Sequence, residues 1–168
     1  MIVGLSVETF TLVHVVISLL AIVLGCLALA DLIGNRSSRV VTALFLGLTI
    51  ATSATGFLFP FTSLDPARIV GIISLAALAI ALLAWYGRRL AGPWRIAYVA
   101  SAVFALYLNV FVAVVQAFQK IPALHPLAPK GSEPPFVVAQ GIVLLAFVGF
   151  GIAAARRFRA PADAPAAR

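Results

Sequence analysis

Residues 9–30 read TFTLVHVVISLLAIVLGCLALA, an unbroken run without one charged side chain. A helix rises about 1.5 Å per residue, so ~20 such residues cross the ~30 Å hydrocarbon core of a bilayer. Four more apolar runs of spanning length follow, over residues 40–61, 69–86, 96–118 and 136–155. The expected fold is an all-α integral membrane protein, a compact bundle of five transmembrane helices filling residues 1–155. Residues 156–168, rich in Ala, Pro and Arg, are expected to form a disordered basic tail.

Composition agrees. The chain is 63% hydrophobic and 10% charged, whereas soluble domains carry about a quarter charged residues. A soluble fold is excluded, and no connection between the runs is long enough to fold by itself. The formal charge of +7 is unevenly spread. Arg36, Arg39, Arg88, Arg89, Arg95, Arg156, Arg157, Arg159 and Arg168 fall on one side of the expected bundle, and only Arg68, Lys120 and Lys130 on the other. Nine against three in short connections is the positive-inside pattern. It places the nine in the cytoplasm, the N-terminus outside and the C-terminus inside, in the inner (cytoplasmic) membrane as a multi-pass protein. Basicity is thus a topology signal and gives no ground for nucleic acid binding. The Arg156–Arg159 cluster is placed to touch anionic lipid head groups.

The first run resembles a secretory signal at Ala28-Leu29-Ala30, but it lacks a basic leader, carries Glu8 before it and has full spanning length. It is expected to stay in the mature protein. Cys26 is the single cysteine; it allows no internal disulfide, and buried among apolar groups it is expected to be inert packing.

The connections 31–39 and 87–95 are short and join antiparallel neighbours, with Trp85, Tyr86 and Trp94 as an interfacial belt. Thr62 to Arg68 is expected to be a tight turn, with Pro60 ending the second helix and Asp65-Pro66 opening the third. Residues 119–135 contain five prolines and are expected to be stiff and non-helical. Ser132-Glu133-Pro134-Pro135 reads as a helix start with a capping hydroxyl.

Polar groups in hydrocarbon are costly, so their positions carry the functional information. Counted from the outer boundary at the helical rise, His14 lies ~8 Å deep, Gln140 ~6 Å, Thr55 ~9 Å, Ser53 ~12 Å and Asn109 ~13 Å, with Gln116 near the rim. All six belong to the outer half of the bilayer, and the inner half is almost empty of such groups. On the first helix, Thr11, His14, Ser18, Ala21, Gly25 and Ala28 form one polar and small stripe along which a neighbour can approach closely. The candidate site is an outer-leaflet pocket of His14, Ser53, Thr55, Asn109, Gln116 and Gln140. The competing reading of the same residues is a set of separate interhelical hydrogen bonds.

No catalytic motif is present, and no metal site is expected. Haem is disfavoured because a bis-histidine site needs a second histidine in a span, and His125 lies in a loop. A solute path would need polar groups in the inner half. Two functions remain. One is a small non-enzymatic membrane protein, a binding, transport-accessory or complex subunit whose partner is another membrane protein or itself. The alternative is a membrane redox or quinone-type binding protein, with His14 as hydrogen-bond partner or proton relay to a quinone-like or small apolar ligand.

Overall fold

A serine hydroxyl starts each of the first two helices. In the computed structural model, which describes residues 1–60 and 66–159, Ser6 Oγ accepts the Thr9 N–H at 3.1 Å and opens α1, Val7–Ile33. Ser38 Oγ accepts the Val41 N–H at 3.3 Å and opens α2, Arg39–Gly56. Both satisfy N–H groups that a helix start leaves unpaired. The turn between them passes through Asn35 at φ 55°, in the left-handed region that Asn tolerates better than most residues.

The third helix, α3, covers Pro66–Leu82 and runs on as a π-helical turn, Leu83–Gly87. Then come α4, Trp94–Lys120, a 3-10 turn at His125–Leu127, and α5, Pro134–Arg157. With α3 taken through Gly87, all five helices are long and apolar enough to cross a membrane. The described residues contain no strand, only an isolated bridge between Ile2 and Leu5.

Successive helices run up and down. Near the start of α1, Phe10 meets Phe59 with ring centroids 5.1 Å apart, and Phe118 of α4 meets Phe136 of α5 at 5.5 Å. At the opposite end, Trp85 meets Tyr98 at 4.8 Å, and Arg95 of α4 bonds to Ala155 of α5. These are called the upper and lower ends. The helix α4 is central, packed against the other four, and has ten buried residues. By contrast, α5 is peripheral: only Gln140 and Ala154 are buried along it. The large buried apolar side chains, among them Phe45, Leu46, Leu78, Tyr98, Leu106 and Phe158, fill the middle and lower part of the bundle.

The expected stripe on α1 is the packed one, since Ala21, Gly25 and Ala28 are all buried. Gly25 is where the contact is closest. A Cβ there would sit 2.4 Å from Leu106 Cδ1 and 2.8 Å from the Phe45 ring, so hydrogen is the side chain that fits.

Several local expectations need correction. The helix α2 ends at Gly56 and does not run on to Pro60, because Phe57 and Leu58 turn their N–H groups to carbonyls three residues back, and Phe59 precedes a proline that disfavours helix. The proline-rich connection is not wholly non-helical, since His125–Leu127 form a 3-10 turn and Ala128 is buried. Ser132 is not the cap of α5. Pro134 and Pro135 fill the first two helical positions and offer no N–H for a hydroxyl to receive, so the N-cap is Glu133 without a side-chain cap bond. Cys26 is exposed on the surface of the bundle rather than buried. Most of the expected 62–68 turn and the 160–168 part of the tail lie outside the described residues.

Candidate functional site

The upper half of the bundle holds most of the candidate polar groups, and four hydrogen bonds tie them to neighbouring helices. On α1, His14 is half-buried, with Nδ1 2.7 Å from Thr55 Oγ1 of α2. Thr55 Oγ1 also lies 2.7 Å from the Ala51 carbonyl. A hydroxyl has one proton, and the carbonyl can only accept, so the arrangement that satisfies both has Nδ1–H donating to Thr55. That leaves Nε2 as a lone-pair acceptor, and among the described residues it has no hydrogen-bond partner. The ring lies edge-on to Phe59, 5.3 Å away.

The remaining contacts join other pairs of helices. Ser53 of α2 donates to Ser74 of α3 at 3.3 Å. Asn109 Nδ2 of α4 donates to Thr49 Oγ1 of α2 at 3.2 Å, and Thr49 passes its own proton to the Phe45 carbonyl at 2.8 Å. Gln140 Nε2 of α5 donates to the Phe111 carbonyl of α4 at 3.1 Å. Its Oε1 is buried without a partner among the described residues, as is Thr52 Oγ1.

Of the six candidates, His14 and Thr55 are therefore in direct contact. Ser53, Asn109 and Gln140 are each bonded to a residue outside the set, and Gln116 is exposed without a side-chain bond among the described residues. Two partners, Thr49 and Ser74, lie outside the six candidates. Arg68 was missed. Expected merely as an interfacial cation, it is buried two residues into α3 and donates from Nη2 to the Phe59 carbonyl at 2.8 Å. This bond holds the segment that sets Phe59 against His14 and Phe10. The signal that could have found it was a guanidinium so close to the start of an apolar run, where it must reach a carbonyl or water.

At the upper surface, Glu133 folds back over the loop. Its carboxylate accepts the Lys130 N–H at 3.1 Å and the Ser132 N–H at 3.0 Å. Slight desolvation opposes ionisation there, but the N–H groups of Ser132 and Lys130 outweigh it and hold the carboxyl below its ordinary value.

Two hollows are defined. A void of about 10 Å³ lies between Gly25, Phe45, Tyr98 and Leu106, at the lower limit for one water molecule and with an almost wholly apolar lining. An open cleft of about 370 Å³ lies at the lower end, between Leu90, Gly92, Arg95, Arg156, Phe158 and Arg159. None of the six candidates lines either one. Among the described residues, no three His, Cys, Asp or Glu side chains gather where they could hold a metal ion. No family model, curated protein or solved structure matches this chain.

Proposed function

We propose that this chain is a multi-pass protein of the inner membrane, N-terminus outside and C-terminus inside. It serves as a binding, transport-accessory or complex subunit without chemistry of its own. The observation that carries this reading is the use made of the polar side chains. His14, Ser53, Asn109 and Gln140 each spend a hydrogen bond on a neighbouring helix, and together they link α1 to α2, α2 to α3 and α4, and α4 to α5. In hydrocarbon such bonds fix helix order and rotation. The outward face of α5, with Val137, Val138, Ile142, Leu145, Val148 and Ile152 exposed, meets lipid or another membrane chain.

Native mass spectrometry of the protein extracted gently from its own membrane tests this, comparing wild type with His14→Ala and Asn109→Leu. The subunit reading expects no small-molecule adduct and a second protein chain, or a second copy, in the spectrum. A small-molecule adduct on wild type that both variants lose would refute it. Orientation is tested separately by reporter fusion, with activity expected from a cytoplasm-dependent reporter after Arg159.

A second reading keeps one observation in its favour. The unpartnered Nε2 of His14, beside the Phe59 ring, is suited to accept a hydrogen bond from a quinol hydroxyl at the outer leaflet. The adduct mass in the same experiment separates the two.

A further inference from the structure

The open cleft at the lower end lies apart from the polar ties of the upper half. Three arginines from two parts of the chain line it: Arg95 from the first turn of α4, and Arg156 and Arg159 from the end of α5 and just beyond. No carboxylate is among its lining residues. Its remaining walls are Gly92, which adds no side chain, and the buried Leu90 and Phe158.

The arrangement is held in place. Arg95 Nη1 donates to the Ala155 carbonyl at 2.9 Å and to the Phe158 carbonyl, satisfying acceptors that the end of α5 leaves open. Both bonds use Nη1, so Nε and Nη2 retain their protons without a protein partner among the described residues. Phe158 is 1% exposed and packs towards Tyr98, while the Arg159 N–H is bonded to Asn35 Oδ1 at 2.8 Å. The backbone leading into Arg159 is therefore anchored. The side chains of Arg156 and Arg159 have no hydrogen bond or ion pair among the described residues.

We infer that this cleft binds a phosphate group, as a phosphodiester head group or a phosphate monoester. Planar guanidinium forks match phosphate oxygens in pairs. No carboxylate stands among the described lining residues, so an anion would complement the three arginines. The cleft also lies at one end of the apolar helices, the level at which a lipid head group would meet the protein. The inference concerns a site distinct from His14 and does not depend on whether the protein is a subunit.

The test uses the full chain in neutral detergent, titrated with phosphatidylglycerol or phosphatidylcholine and read by native mass spectrometry. Each basic residue near an anionic surface contributes roughly a fivefold factor, so R156Q/R159Q is expected to weaken phosphatidylglycerol binding about 25-fold. R36Q/R39Q, which removes the same charge from the same end, is expected to change it less than about fivefold. R156K/R159K keeps the charge but loses the forks, so it is expected to bind more weakly than wild type and more tightly than R156Q/R159Q. Equal weakening in the two glutamine pairs, or a lysine pair that binds as tightly as wild type, would overturn the assignment; equal binding of phosphatidylcholine, which carries the same phosphodiester, would uphold it. Excess glycerol 3-phosphate distinguishes the sources. If it displaces the lipid, the site takes a soluble phosphate ester; if the lipid stays, it takes the head group, and either result upholds a phosphate site.

Discussion

Replacing Gly25 by alanine puts a methyl carbon 2.4 Å from Leu106 Cδ1 and 2.8 and 2.9 Å from two carbons of the Phe45 ring. Leu106 can rotate in principle, but it is 1% exposed and Phe45 is 2% exposed, so both are enclosed by other core groups. The adjoining void of about 10 Å³ gives little slack. Overpacking of this kind costs about 1–3 kcal/mol. Against it stands the gain of about 0.8–1.0 kcal/mol that alanine brings over glycine inside a helix. The net effect is a loss of about 0–2 kcal/mol, which alone is hard to read. Gly47 supplies the reference, because a Cβ there meets nothing within 4 Å. Gly47→Ala should keep the helical gain without the clash, leaving the two variants about 1–3 kcal/mol apart. Reversible unfolding in mixed micelles, followed by the fluorescence of Trp85 and Trp94, measures that gap. Adding Leu106→Ala to Gly25→Ala should give less than the sum of the two losses, since the methyl then enters the space vacated. A Gly25→Ala protein as stable as Gly47→Ala, or additive losses in the double variant, would refute the close three-helix contact.

The same unfolding assay reads the polar ties. Asn109→Leu should destabilise by about 0.6 kcal/mol, and by less still in a Thr49→Val background, because the bond between them is then already lost. Gln140→Leu should be neutral or stabilising: it deletes an orphaned buried acceptor, and the Phe111 carbonyl loses only an additional donor. A clear loss there would mean that Oε1 has a partner in the membrane. Glu133 sets a pH dependence. Its carboxyl is held below its ordinary value in the folded loop, so its stabilisation is complete above the ordinary carboxylate range and lost as pH falls through the lowered value. Protection of the Lys130 and Ser132 amides, taken relative to their intrinsic exchange rates, should fall over that acid window in wild type and be low throughout in Glu133→Gln. Protection that persists unchanged in the variant would contradict the carboxylate bonds.

The start of α3 was legible where local chemistry sets it, with Pro66 opening the helix. The Ser6 and Ser38 caps of α1 and α2 came only with the structure. Helix ends were misread where two local signals compete. Pro60 was taken as the stop for α2, but the turn at Phe57 and Leu58 closes the helix earlier; Ser132 was taken as a cap, but the following prolines remove its donors. For the candidate site, depth was readable and contact was not. Shared depth suggested one group of six, whereas the structure joins His14 to Thr55 and sends Ser53, Asn109 and Gln140 to other partners.

Five runs of spanning length, their hydropathy and the placement of the arginines are properties of the chain itself, because they follow from the helical rise and the cost of charge in hydrocarbon. Which helices pair came only with the tertiary structure. The small and polar stripe of α1 marks a face that packs, and the sequence does not say against what. What seats it is shape, the absent side chain of Gly25 beneath Phe45 and Leu106, together with the hydrogen bond from His14 to Thr55, 41 residues further along the chain. The convergence of Arg95, Arg156 and Arg159 on one cleft has the same origin, since it exists only once the end of α5 is packed against the start of α4.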